Sequence, residues 1–312
     1  MSRTHPLDLH EIRSRIASSL GLKDLASCVR VSQDWNDSIS PLPYKSVVLP
    51  KDGLSIESVE RNKHFIRCLK IRKSGYNNTN FLGFNGAKAL SEALKINSTL
   101  TSLNLYNNSI GDRGAKSLAQ ALMTNITLTA LGLQINSIRS NGAQTLAQAL
   151  KTNSTPTSLN LSSNRIRDNG AQALSEAFKT NSTLTTLDVG NNKMIGHNGA
   201  QALSEALKTN STLTTLELRY NSLGPNDAKV LSEALKTNST LTTLDLHSNS
   251  IGPKGTQALS EALMTNSTLT TLNLYDNSIG PKGAQALSEA LKINSTLTTL
   301  DVGDNRIWTR QI

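Results

Sequence analysis

The chain has 312 residues, with 32 Lys and Arg against 23 Asp and Glu, a formal charge of +9, and two cysteines, Cys28 and Cys68. So few cysteines exclude a disulfide-stapled scaffold, their spacing is not that of a metal site, and no apolar run is long enough to read as a signal peptide or a membrane span. These features predict an intracellular protein, cytoplasmic or nuclear, with no cofactor. The basic excess is not one patch, since most Lys after Ser74, such as Lys116, Lys151, Lys179, Lys208 and Lys236, fall on outward helical positions, so nucleic acid is not the expected partner.

Residues 1–45 read as a small helical module. Asp8 followed by Glu11 resembles a capping box, Ile12, Ile16 and Leu20 recur at helical spacing, and Gly21 ends the run. A second apolar set, Leu25, Cys28, Val31 and Trp35, predicts further short helices closed by Pro41 and Pro43. This order, from Leu9, Glu11 and Ile12 through Asp24-Leu25, Cys28 and Val31 to Trp35, resembles the F-box family, with His10 where the family usually has Pro and Tyr44 where it often has Trp. The resemblance implies a surface formed by Leu9, Ile12, Ile16, Leu20, Leu25, Val31 and Trp35 that docks on a Skp1-like adaptor, and through it on a cullin-containing ubiquitin ligase. A second reading makes the same helices a polar cap on the array that follows.

Residues 46–82 form an N-terminal cap and a degenerate first repeat. Val47-Val48-Leu49 reads as a strand, and Phe65–Ile71 as a second, in which Leu69 and Ile71 stand in for the first repeat strand and Cys68 reads as core. The basic run from Arg61 to Lys73 reads as a solvated edge.

From residue 83 to 312 one unit returns every 28 residues. The pair Leu103/Leu105 recurs as Leu131/Leu133, Leu159/Leu161, Leu187/Val189, Leu216/Leu218, Leu244/Leu246, Leu272/Leu274 and Leu300/Val302, each followed three residues on by Asn. One step is a residue longer, and the insertion falls in Lys193-Met194-Ile195. Within each unit the apolar period changes from two to three or four, as at Ala115, Leu118 and Leu122, so each unit is a strand, a turn and a helix. Neither half buries its apolar side alone, and stacking closes the core. The pattern L-x-x-L-x-L-x-x-N-x-I-G-x-x-G-A-x-x-L-x-x-A-L resembles the leucine-rich repeat family in its long, ribonuclease-inhibitor-like type. It implies an α/β solenoid, a horseshoe with a parallel concave sheet and convex helices.

The Asn-x-Ser/Thr sequons after each helix, such as Asn97, Asn181 and Asn238, read as helix C-caps in a left-handed conformation. No spacing suggests a nucleophile, phosphate loop or metal site, so the chain is not expected to be an enzyme. Inner positions flanking Leu-x-Leu are where units differ. They are small and neutral early in the array. Later they become acidic and aromatic at Asp188, Glu217, Arg219, Tyr220, Asp245, His247, Tyr275 and Asp301, with Asp245 and His247 expected to form a solvated ion pair. A constant frame with such a face predicts a binding protein, a monomer within a hetero-complex, whose client presents a basic segment. With the N-terminal resemblance, this reads as a substrate receptor of an SCF-type ligase; without it, as a leucine-rich-repeat scaffold or inhibitor.

Overall fold

A computed structural model describes the backbone of residues 47–49 and, with side chains, residues 67–71, 82–192 and 195–307. The expected helical module, and with it Leu9, Ile12, Ile16, Leu20, Leu25, Val31 and Trp35, lies outside the described residues.

Among the described residues, ten strands lie side by side in chain order in a single parallel sheet. They are β1 (Val47–Leu49), β2 (Cys68–Ile71), β3 (Ser102–Asn104), β4 (Ala130–Gly132), β5 (Ser158–Asn160), β6 (Thr186–Asp188), β7 (Thr215–Glu217), β8 (Thr243–Asp245), β9 (Thr271–Asn273) and β10 (Thr299–Asp301). Between them run helices α1 (Gly83–Ile96), α2 (Gly111–Leu122), α3 (Ser140–Thr152), α4 (Arg167–Phe178), α5 (His197–Leu207), α6 (Pro225–Leu235), α7 (Gly252–Leu263) and α8 (Gly280–Leu291), each packed on its neighbours in the array. The first Leu of each pair is in register from strand to strand, with Leu103 beside Leu131 and Leu187 beside Leu216. The longer unit keeps that register. Asn192 holds its usual place and Ile195 is fully buried where the other units place Ile110 or Ile138, so the extra residue lies between them.

The strands expected at the N-terminal side are present. Leu69 pairs with Leu103, which makes β2 a true repeat strand, with Cys68–Ile71 as its described residues in the sheet. β1 continues the sheet by pairing with β2. Cys68 is not core: alternation buries Leu69 and Ile71 and leaves Cys68 half-buried on the opposite, helix-free face.

The core between sheet and helices repeats as the sequence does. In one unit Leu244, Leu246, Ile251, Leu259 and Leu263 are at most 1% exposed. Small residues at each helix start let adjacent helices approach, and a Cβ on Gly114 would sit 3.0 Å from the Cβ of Ala87. At the described end of the array the layer thins, and Leu291 and Ile293 are 41% and 62% exposed beside a largely exposed β10.

Hydrogen-bond ladders along the array tie each unit to the one before it. The Asn after each strand donates from Nδ2 to a carbonyl one unit back, as Asn136 does to Leu105 O (2.8 Å), while its Oδ1 accepts the N–H groups of Asn108 (2.9 Å) and Ile110 (3.3 Å). These backbone groups face the turn, where no strand or helix partner reaches them.

The Asn after each helix forms a second ladder, and here the expectation is corrected. Asn97 and Asn153, at φ −77° and −100°, are extended and not left-handed. Asn238 donates from Nδ2 to Leu207 O (2.8 Å) and Asn210 O (3.3 Å), and its Oδ1 accepts from the N–H groups of Thr240 (3.1 Å) and Leu241 (2.8 Å). An amide that serves carbonyls one unit back and its own following turn replaces the local left-handed cap. Asn125, Asn153, Asn181, Asn210, Asn238 and Asn266 of this column are buried, so their Nδ2 atoms are closed to glycan attachment in the folded chain, while Asn97 and Asn294 are half-buried. Pro156 interrupts the pattern at one point, since it lacks the N–H that Leu128 or Leu184 gives to its Asn. Threonine hydroxyls make a third ladder, Thr242 to Thr214 O and Thr270 to Thr242 O, both 3.1 Å.

Asn238→Ala leaves two carbonyls and two amides of the ladder without partners and is expected to lower unfolding stability by about 2–4 kcal/mol, read from urea denaturation. Ile135 is a β-branched residue at φ +56° where other units have Asn, Ser, Asp or, at Tyr220, an unbranched aromatic, and Ile135→Asn is expected to raise unfolding stability by about 0.5–1 kcal/mol.

Candidate functional site

The helix-free face carries its chemistry between β5 and β9. The third residue of most strands is Asn or Asp, because its side-chain oxygen accepts the N–H two residues on as the chain turns. Asn104 accepts from Tyr106 (3.0 Å), Asp188 from Gly190 (2.9 Å), Asp245 from His247 (2.9 Å), Asn273 from Tyr275 (3.0 Å) and Asp301 from Gly303 (2.9 Å). The choice between Asn and Asp therefore changes charge while keeping a structural bond. Lys70, beside Asn104 on β2, and Gly132 and Glu217 stand outside this rule.

Glu217 is the centre of a linked group. Arg219, on the same strand line, donates from Nη1 to Glu217 Oε2 and from Nη2 to Asp188 Oδ2 (3.1 Å), and Asn160 Nδ2 donates to the same Asp188 oxygen (2.7 Å). Asp188 is only 5% exposed, so its charge is met by Arg219 and by the amides of Asn160 and Gly190 instead of by water. Gly190 makes the crossing possible, since a Cβ there would lie 2.8 Å from Arg219 Cγ. Burial, a hydrogen bond with Asp245 and the Asp245 charge push the Glu217 carboxyl up to about 7, with Arg219 opposing the shift and Asp188 adding to it. Burial lowers the Arg219 guanidinium, but the charges of Asp188 and Glu217 outweigh it and raise the group above its ordinary value.

Beside this group stands a row of rings. The His247 imidazole lies between Tyr220, at 4.8 Å and a 46° tilt, and Tyr275, at 4.9 Å and edge-on at 73°. The expected Asp245–His247 ion pair does not form: the bond between them uses the His247 backbone N–H, and the ring is turned to its aromatic neighbours. Tyr220 and Tyr275 remain 49% and 36% exposed, which leaves ring surface for a ligand. Gly303 accommodates the Tyr275 ring, which would sit 2.8 Å from a Cβ at that position. Asp276 accepts from Ser248 Oγ (2.8 Å) at the edge of the row.

A family model described as Leucine Rich repeat matches residues 97–119, 152–175, 180–204, 209–232, 237–260, 265–288 and 294–307, about half of the chain. The chain belongs to the leucine-rich repeat family. The stretch between the first two matches keeps the same leucine-rich repeat in space, with Leu131 paired to Leu159 and Asn136 in the ladder, although Gly132 and Ile135 depart from the sequence pattern. Two solved structures resemble this leucine-rich repeat array. One is leiomodin-1 actin-binding site 2 (22% identity, 50% of this chain, 88% of that one, TM-score 0.42). The other is the tropomodulin C-terminal domain of Caenorhabditis elegans (20% identity, 42% and 78% coverage, TM-score 0.36). No curated protein matches the sequence.

Of the inner-face residues expected from the sequence, the leucine-rich repeat brings Asp188, Glu217, Arg219 and Asp245 into one bonded group and Tyr220, His247 and Tyr275 into one row. Asp301 stands apart on the exposed β10 and serves its own turn. Asn160 belongs to the group and was missed; its signal was its place in the Asn/Asp column one unit before Asp188. Among the described residues no cluster of His, Cys, Asp and Glu could hold a metal ion, and no helix is long and apolar enough to cross a membrane.

Glu217 gives the group a pH signature. Between the ordinary carboxylate range and about 7 the folded chain holds a proton that the unfolded chain has released, so stability falls as pH rises through that window and then levels. Urea midpoints compared at about pH 5 and about pH 8 are expected to fall in the wild type, and Glu217→Gln is expected to remove most of that difference.

Proposed function

We propose that the chain is a non-enzymatic binding protein that holds a basic segment of a client protein on the helix-free face of its repeats. The observation that carries this reading is the junction of Asp188, Glu217 and Asp245 with the half-exposed Tyr220, His247 and Tyr275 row. It sits on a frame whose other positions repeat almost unchanged. Tyr rings beside carboxylates suit a cation, which gains from the ring faces and from charge-assisted hydrogen bonds together. A single Arg219 against three carboxylates leaves the group able to accept more positive charge, and the same carboxylates would repel phosphate, which speaks against nucleic acid on this face.

The finer reading places this activity in an SCF-type ubiquitin ligase, the repeats choosing the client and residues 1–45 docking a Skp1-like adaptor. Its support is the F-box resemblance of Leu9, Ile12, Ile16, Leu20, Leu25, Val31 and Trp35, and the order of such a module directly before leucine-rich repeats of ribonuclease-inhibitor-like type. In this reading the protein works as a monomer within a hetero-complex, in the cytoplasm or nucleus.

Each half has its own test. Replacing Glu217 with Gln, Asp245 with Asn and Tyr275 with Ala together is expected to weaken binding of an Arg- and Lys-rich peptide by at least about a hundredfold in calorimetry, with the unfolding midpoint little changed; unaltered affinity would remove the client site. Co-expression of the full chain with Skp1 and size-exclusion chromatography is expected to give a one-to-one complex that Leu25→Asp abolishes while peptide binding persists. Soluble, folded chain that never co-elutes would leave a repeat scaffold.

A further inference from the structure

The rim where strands hand over to helices carries a second charged feature, of opposite sign to the face just described. The residue after the buried Ile or Leu that closes each turn is glycine at Gly83, Gly111, Gly196, Gly224, Gly252 and Gly280, but arginine in two consecutive units, at Arg139 and Arg167. Four of those glycines have φ between +60° and +63°, a conformation glycine enters freely. Arg167 takes it too, at φ +60°, and is the one side-chain-bearing residue in the described array that does so at this register, Arg139 being extended at φ −104°. A left-handed arginine costs free energy that glycine would save, and the frame offers glycine at this place in most other units.

Arg165 stands two residues earlier, where Ser109, Ser137, Ser222, Ser250 and Ser278 stand in other units and Lys193 and Arg306 in two more, and its backbone bridges directly to Arg139, its N–H donating to Ile138 O at 2.7 Å. All three arginines are exposed, and among the described residues none has an ion-pair partner. Arg113, one unit earlier, is also exposed, with its guanidinium 4.3 Å over the Phe84 ring. Two carboxylates share this rim, and both are turned to backbone. Asp112 Oδ1 accepts from the N–H groups of Arg139 (2.7 Å) and Gly142 (3.1 Å), and Asp168 Oδ1 from those of Gly196 (2.8 Å) and Gly199 (3.0 Å), each capping the next helix. Four arginines against two aspartates leave the rim positive.

We infer that the rim formed by Arg139, Arg165 and Arg167 is a docking surface for an acidic polypeptide segment, separate from the face that takes a basic client. Guanidinium forks pair with carboxylates through two parallel hydrogen bonds, and neighbouring strands set the Arg139 and Arg165 backbones about 5 Å apart, close enough for one extended acidic segment to engage both. The patch covers only neighbouring units and includes two aspartates, so a carboxylate chain that can place its charges around them fits better than the fixed phosphate run of a nucleic acid.

The test is fluorescence anisotropy of a labelled Glu-rich peptide on the full chain, at low and at physiological salt. The triple change Arg139→Ser, Arg165→Ser and Arg167→Gly is expected to weaken binding at least about tenfold. Arg167→Gly alone is expected to weaken binding while raising the melting temperature, because it removes the strained backbone; a residue kept for structure would lower the melting temperature instead. Should the triple variant not fold, Arg165→Ser alone carries the test, with weaker peptide binding expected. Equal affinity of wild type and variants would overturn the inference, as would an oligonucleotide that binds the rim more tightly than the peptide. The Glu217, Asp245 and Tyr275 triple variant is expected to leave this binding unchanged.

Discussion

Everything in the array depends on one constraint: turns between strand and helix expose backbone N–H and C=O groups to an interior without water, and each must find a partner. The side-chain amide meets it best, because one end donates and the other accepts. Two columns of asparagine, one at each end of the strand, reach back a unit and so convert an intra-unit need into an inter-unit bond. Leucine packing then supplies most of the apolar burial, but register comes from the amides. A slip by one residue would leave both columns unpaired as well as turning the leucines outward.

Much of this was legible from the 28-residue period, which named the strands, the helices, the buried leucines and the first asparagine column. The second column was also visible, but its conformation was not, because asparagine after a helix suits a local left-handed cap as readily as a bond to the preceding unit. Only the position of Leu207 O and Asn210 O, set by stacking, decides between them. Cys68 was misplaced for a simpler reason: in a strand with Leu69 and Ile71 buried, alternation assigns it to the other face, and that phase should have ruled.

For the inner-face residues, alternation was legible and their combination was not. Alternation says which side chains share the face, but not how they combine. Asp188 is drawn under cover by Arg219, and His247 chooses two tyrosines over its sequence neighbour Asp245. The choice follows from parallel strands in register, which set His247 and Tyr275 side by side, while Tyr220, one residue further on at φ +53°, reaches His247 from the turn. The Asn/Asp column shows a further limit, since part of the apparent acidic patterning serves turns. Charge is added there without changing the fold, which is why the acidic character can differ between halves of the array on one frame.

Consecutive units from β7 to β9 are almost interchangeable, with the same leucines, both asparagine columns and the threonine ladder in the same places. A chain shortened or lengthened by one whole unit in this region would meet the same partners on both sides of the cut. The length of this array is therefore open to inheritance by duplication and loss, whereas the aromatic row is not, since removing one unit from it takes out a ring and breaks the contact.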